Sequence, residues 1–541
     1  MKQILYRYII LSAAVFAIGG CNTKALQDLN INPQSQATTN LNFMFTSAQL
    51  YVAGGQGEDQ NRTLNWRTNI GMCAYAIQHL AFLSDGIAPG DKYTENFESS
   101  FVPFQYFYTS PLKNFGEILY QVDSGFAKGE DYNNLKQATR IMKAFTFHRL
   151  TDYYGSIPYF DALKNHGENI FFPKYDKQKD IYLDLLKELD EATAAFTAAA
   201  PDGFAEGDIY YNGDINKWKR WGYSLMLRLA MRISNVDPAT ASTYVSKAVA
   251  GGVFTSNDDN VFVPMAIDPI RGINQNGTSR SFMPGDGGQS TILSKTLIDF
   301  LKGTNPNAAA DDDPRLMILS GGIGTWDAEG SWNPTNTDPV AQKGMPNGKD
   351  ETMLKIIEGV PANAPFNPHI YYSKINPKLL DRNEPYPLMN YGEVEFLLAE
   401  AAERSIGGLS PAAAKSHYEK GVKASMQMLV KYDPSFVVTD AQVATYLSTY
   451  PYGVTKPALE MIGEQLWVNQ FLNWWEAWSN YRRSGLPALT PTNYPGNITN
   501  GTIPARLNYP TSEVTGNPNY GAGATQPNAW TTKLWWAGGA E

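Results

Sequence analysis

The sequence predicts a mostly α-helical protein, and three observations carry that prediction. Apolar residues recur at spacings of three and four through most of residues 42–251 and again through 389–486. The candidate helices follow one another in pairs, split by short loops rich in Gly, Asp and Asn. Between the two helical regions, residues 252–388 lose that periodicity and fill with Gly, Pro, Asn and Asp. The prediction is therefore a tetratricopeptide-like scaffold of helical pairs that carries an irregular, loop-rich subdomain. With 541 residues, 43% of them hydrophobic and 13% aromatic, the chain has material for a large core.

Taken in order, Asn42 to Tyr51 is the first candidate helix. Leu64 to Leu83 is the next, with Ala74, Ile77, His79 and Leu80 marking its faces. Pro103 to Ala127 and Tyr132 to Tyr153 follow; on the second, Ala138, Ile141, Phe145 and His148 form one stripe. Gln178 to Ala200 pairs with Asn216 to Asn235, where Trp218, Trp221, Leu225 and Leu229 share a face. Arg232 projects within that same arc and Arg228 lies at its edge, and a buried guanidinium must find a carboxylate or carbonyls. Ala239 to Gly251 is a short companion. In the loop-rich stretch Ser290 to Leu301 is the one good helix. Helices resume at Tyr391 to Arg404, Pro411 to Lys431, Asp440 to Ser448 and Pro457 to Tyr481, and residues 487–541 form an irregular C-terminal segment.

The N-terminus points to export. Lys2 and Arg7 precede an apolar run, Tyr8 to Ala17, that is too short to span a bilayer. The run closes on Ile18-Gly19-Gly20-Cys21, which resembles a bacterial lipobox, so residues 1–20 read as a signal peptide and Cys21 as the lipidated residue. Residues 21–41 then form a polar tether, leaving 42–541 as a single domain. Maturation leaves Cys73 as the only unmodified thiol, so no intramolecular disulfide can form. No later apolar run reaches about 20 residues. A net charge of −9, without a basic stripe, excludes nucleic acid as a partner.

Catalytic motifs are missing. There is no Gly-x-Ser-x-Gly elbow, no His-Glu-x-x-His and no phosphate-cradling glycine loop. The five histidines, His79, His148, His166, His369 and His417, show no metal-ligand spacing, and no cofactor is implied. Asp311, Asp312 and Asp313 are weak candidates for calcium, but Pro314 favours a turn or cap. Glu400 and Arg404 stand one turn apart, as a local ion pair would. Glu393 and Glu400 lie seven apart on one side of a helix, with Arg228, Arg232, Arg482 and Arg483 as their natural countercharges. The stripe Trp467, Phe471, Trp474, Trp478 is core packing.

Ligand recognition is expected in the loops. A sugar site needs exposed rings for the apolar sugar faces and polar groups for the hydroxyls. Trp326 and Trp332, with five residues between them in a glycine-rich stretch, fit that requirement, and Tyr93 and Phe97 form a second candidate cluster. The alternative is that these loops pack on the body of the protein or on a partner.

Five segments in order resemble the SusD/RagB family. They are the lipobox with Leu29-Asn30-Ile31-Asn32-Pro33; Leu150-Thr151-Asp152 with Tyr153 to Tyr159; Gly213-Asp214 with Lys217-Trp218 and Leu227 to Arg232; Glu393 to Ala401; and Glu476 to Pro487. The motifs are closer to the second SusD-like subgroup than to the starch-binding founder. The resemblance implies a helical tetratricopeptide-based fold and a non-catalytic lipoprotein of the outer membrane, exposed at the cell surface. It also implies an oligosaccharide ligand (or, as in the RagB branch, a peptide) and a SusC-like TonB-dependent transporter as partner. A helical scaffold protein of a surface complex is the reading from another class.

Overall fold

In the computed structural model, the described residues are 40–55, 60–83, 88–127, 132–164, 168–198, 204–267, 274–283, 290–327 and 330–541. Cys21, the signal peptide and the tether up to residue 39 lie outside them.

Helix α1 (Leu41–Val52) starts where the Asn40 side chain accepts from the amides of Asn42 and Phe43. Helices α2 (Phe97–Phe107) and α3 (Lys113–Asp123) join through a π-helical turn at Tyr108–Leu112. Next come α4 (Asn133–Tyr154), α5 (Gln178–Ala194), α6 (Ile215–Arg232) and α7 (Pro238–Gly251), each packed on its neighbour. Gly222 lets α6 approach α5 closely: a Cβ there would overlap the Thr193 methyl. After the loop-rich stretch, α10 (Tyr391–Glu403) pairs with α11 (Pro411–Gln427) and also lies against α6. Helices α12 (Asp440–Thr449), α13 (Ala458–Asn469) and α14 (Trp474–Ser484) complete the helical body.

The loop-rich stretch carries two longer helices, α8 (Lys295–Leu301) and α9 (Glu351–Glu358), and single helical turns at Gly277–Ser281 and Leu316–Leu319. It also supplies strands to three of the four two-stranded antiparallel sheets. These pair β1 (Leu80–Phe82) with β5 (Thr291–Leu293), β4 (Val261–Val263) with β8 (Tyr386–Met389), and β6 (Ile323–Trp326) with β7 (Trp332–Asn336). The fourth joins β2 (Ile157–Pro158) to β3 (Tyr175–Asp176). One core runs through the helices, and a small satellite core of Ala81, Ile292, Met345, Leu354 and Tyr372 sits under the β1–β5 pair.

Three expectations need correction. Leu64 to Leu83 is not one helix: a π-helix occupies Asn65–Ala74, Gln78 turns left-handed at φ 57°, and the remainder becomes β1. Its strand partner lies over 200 residues away, which local periodicity cannot register. Pro457 to Tyr481 is broken at Leu472, whose φ is 75°. There the chain is held by tertiary bonds instead: Asn69 donates to the Leu472 carbonyl at 3.4 Å and Asn473 to that of Leu388 at 3.2 Å. The stripe Trp467, Phe471, Trp474, Trp478 is nonetheless buried throughout. Ser290 to Leu301 is a strand followed by a helix, with Ser294 capping the helix.

Candidate functional site

The interior of the scaffold is charged. Arg228 on α6 grips Glu393 on α10 with Nε–Oε1 at 2.6 Å and Nη2–Oε2 at 2.8 Å. One turn on, Arg232 bonds Glu476 of α14 and lies 3.4 Å from Asp152 at the end of α4. Arg483 meets both oxygens of Glu400 at 2.6 Å, and Arg404 adds a third contact at 2.7 Å. All but Arg404 are buried. The expected countercharges therefore hold for Arg228 on Glu393 and Arg483 on Glu400, whereas Arg232 turns to Glu476 and Asp152. Arg482 differs: it donates to the carbonyls of Asp152 and Ala505 at 2.7 and 2.9 Å, over the Trp478 ring at 3.6 Å. Burial pushes its guanidinium down to about 10. Burial also pushes the Glu393 carboxyl up, against the pull of Arg228.

This cluster tests two chemical alternatives. Among the described residues, His148, Asp152 and Glu476 converge as metal-ligand types within 4.8 Å. Arg232 already touches both carboxylates, so a cation is built in and the group is an ion network. These carboxylates are closed from solvent and salt-bridged. The sequence placed Glu393 in such a network but did not single out Asp152, Glu476 or His148. Their only signal was membership of the family-like segments and of the α4 stripe.

Two members of the acidic triplet are likewise engaged, while both carboxylate oxygens of Asp312 are buried without a hydrogen-bond partner among the described residues. Asp313 holds Arg315 through bonds of 2.9 and 2.6 Å, and Asp311 accepts from the Thr304 amide at 2.9 Å and its hydroxyl at 2.7 Å. The Asp313 side chain also accepts from the Arg315 amide at 2.9 Å, a turn of the kind expected, and its ion pair with Arg315 lies beyond that expectation.

Trp326 and Trp332 come together as a cross-strand pair of the β6–β7 hairpin. A Cβ at Gly324 would overlap the Asn333 carbonyl, so the glycine is required by the strand pairing. Asp327 closes the turn, accepting from the Ser331 amide at 2.7 Å. The two rings stand 5.5 Å apart at 66°, and the His369 ring completes a cluster at 6.3 and 5.7 Å. The Trp332 indole donates to the Gly321 carbonyl at 2.8 Å, whereas the Trp326 indole nitrogen is buried without a hydrogen-bond partner among the described residues. Both rings are half-buried, and the outer positions of β7, Asn333 to Asn336, are exposed. The Lys374 ammonium lies under Trp326, 4.8 Å from the ring centroid, and burial pushes it down to about 7.

The second candidate cluster does not form. Tyr93 is 1% exposed, because the left-handed turn at φ 56° folds its ring beneath residues 492–498. Its hydroxyl accepts from the Thr492 amide at 3.3 Å, and its carbonyl from the Ile498 amide at 2.9 Å. Phe97 is not in a loop: it opens α2 behind the Asn96 cap, and its side chain lies outside the described residues.

Over residues 34–510 the sequence matches the second SusD-like family, described as "Starch-binding associating with outer membrane". The chain belongs to the SusD-like family. Among solved structures it is similar to a protein titled "chitin-binding protein", at 30% identity and a TM-score of 0.74, covering 92% of this chain and 100% of that one. It is also similar to "Bacteroidetes AC2a SusD-like", at 26% identity and a TM-score of 0.77, with 92% and 100% covered. A chitin-binding SusD homolog from Flavobacterium johnsoniae shares the fold at 24% identity and a TM-score of 0.68, with 92% and 99% covered. Among curated proteins, none matches the chain. This SusD-like chain has, among its described residues, no helix long and apolar enough to cross a membrane.

Proposed function

We propose that this SusD-like protein is a non-catalytic receptor that captures an oligosaccharide and passes it to a SusC-like TonB-dependent transporter. A lipid on Cys21 holds it to the outer membrane, facing the exterior, after removal of residues 1–20. The loop-rich residues 252–388 form the ligand-facing part, and the helical regions around them form the frame. The observation that carries the reading is the Trp326–Trp332 pair: two half-buried indoles set at an angle on a hairpin, beside a rim of Asn333, Thr335 and Asn336. Rings of this kind stack on the C–H faces of sugars, while amides and hydroxyls take the hydroxyl groups. Support comes from the family description and from the chitin-binding relative at 30% identity.

Calorimetry with an N-acetylglucosamine hexasaccharide, maltohexaose and a panel of short peptides tests it. Saccharide binding weakened about tenfold or more by Trp332→Ala is the expected result. Binding of peptides alone would replace the saccharide with a peptide ligand. Turnover of a saccharide by the purified protein would overturn the receptor reading.

A further inference from the structure

A second region has the chemistry of a saccharide site, remote in sequence from the hairpin. Two clefts adjoin along α2 and the C-terminal segment. One, of about 560 Å³, is lined by Phe104, Gln105, Phe171, Phe172 and Asn517. The other, of about 410 Å³, is lined by Glu95, Ser100, Asn508 and Trp530. They share Phe101, Pro510 and Ser512, so they form one continuous groove. Each is within the usual range of ligand clefts, roughly 300–1,000 Å³.

Two independent features mark the groove as built for a ligand. Phe171 and Phe172 are 73% and 59% exposed, an adjacent aromatic pair turned to solvent at the groove wall. Their backbone is held: Asn519 donates to the Phe172 carbonyl at 2.6 Å and Asn517 to that of Pro173 at 3.4 Å. At the other end, the Ser100 hydroxyl and the Asn508 side-chain amide oxygen are buried without partners among the described residues, and Ser100 is 4% exposed. A buried polar atom left unbonded is costly, and a ligand hydroxyl would supply the missing bond.

The lining selects the ligand class. It has rings, amides, hydroxyls and the carboxylates Glu95 and Glu513, with no Lys or Arg among the described residues, so an anionic ligand finds no counterion there. A peptide strand would need free backbone amides beside it. Those of Ala505, Leu507 and Tyr509 are taken by the Trp530 carbonyl at 2.6 Å, the Tyr153 carbonyl at 2.8 Å and the Asn528 side chain at 2.7 Å. An acyl chain would leave the polar atoms unpaired.

We propose that this groove is a second saccharide-binding site, with Phe171 and Phe172 as stacking rings and Ser100 and Asn508 as hydroxyl partners. The proposal rests on the reading that the ligand is an oligosaccharide. It is tested by titrating the full mature chain with the N-acetylglucosamine hexasaccharide and with maltohexaose, reading stoichiometry and affinity. Two binding events are expected for at least one probe. The double substitution Phe171→Ala with Phe172→Ala removes one of them, and Trp332→Ala weakens the other. Both phenylalanines are exposed, so an unchanged melting temperature accompanies the loss; Ser512→Trp, which fills the shared part of the groove, gives the same loss by another route. A single event abolished by Trp332→Ala and untouched by the phenylalanine and Ser512 variants overturns the groove while leaving the hairpin reading intact. A single event lost only in the groove variants supports the groove and overturns the hairpin reading. A wild-type chain that binds neither probe overturns both.

Discussion

The scaffold interior and the β6–β7 hairpin use the same pairing, a cation over an indole, to opposite ends. Inside, the fully buried Trp475 lies 4.7 Å from the Arg149 guanidinium and Trp478 lies 3.6 Å from that of Arg482. At the hairpin, Lys374 sits 4.8 Å from the Trp326 centroid, but Trp326 and Trp332 keep part of their surface open. A ring enclosed on both faces contributes packing and stability. In the proposed site, a ring braced from beneath and open above would meet a ligand with little entropy left to lose on binding. Burial thus separates frame from site where chemistry alone does not.

Substitutions can break this contrast, the largest effect first. Glu476→Ala leaves Arg232 buried without its main partner, so unfolding in urea should show a loss of about 3–5 kcal/mol. The same change should leave saccharide affinity of the folded fraction unaltered, because no atom of the network reaches the hairpin.

His79 sharpens the frame side through pH. Packed 4.4 Å from the Trp467 ring and fully buried, its imidazole is pushed from 6.5 down to about 3 by desolvation. Between those values the unfolded chain binds the extra proton. Stability is therefore fully present above pH 6.5 and falls as pH drops towards 3, by up to about 1.4 kcal/mol per pH unit. In His79→Leu that portion of the slope should vanish in denaturation curves taken from pH 4 to 7.

On the site side, Trp332→Ala should weaken saccharide binding about tenfold, equivalent to about 1.4 kcal/mol, with a small change in melting temperature. Equal losses of affinity and stability would erase the distinction between the two regions. The smallest effect belongs to the surface: Lys247, paired with Asp190 at 2.5 Å but about half exposed, should change stability by less than about 1 kcal/mol when replaced by Ala.

Legibility in the sequence followed how locally each feature is determined. Glu393 could be matched with Arg228 because charges inside an apolar helical arc must find one another, whatever the fold. Asp152 could not be placed, since a carboxylate near a helix end reads equally as a solvated terminus. Trp326 and Trp332 were identifiable as rings in a glycine-rich stretch, yet their strand pairing was not, because Gly, Asn and Pro are poor strand formers. Tyr93 was misplaced because its burial is decided by residues 492–498, some 400 positions along the chain. The groove at Phe171 and Phe172 had no local signal at all, since its walls come from three distant segments.

By itself the sequence determined the helical class, the positions of most helices and the need for a buried charge network. Those follow from apolar periodicity and from the cost of unpaired charge, both readable within one or two turns. Tertiary structure decided which aromatic rings are covered and which stay open. Exposure is a property of what packs against a side chain, and here the packing partners of Tyr93, Trp326 and Phe172 arrive from remote parts of the chain.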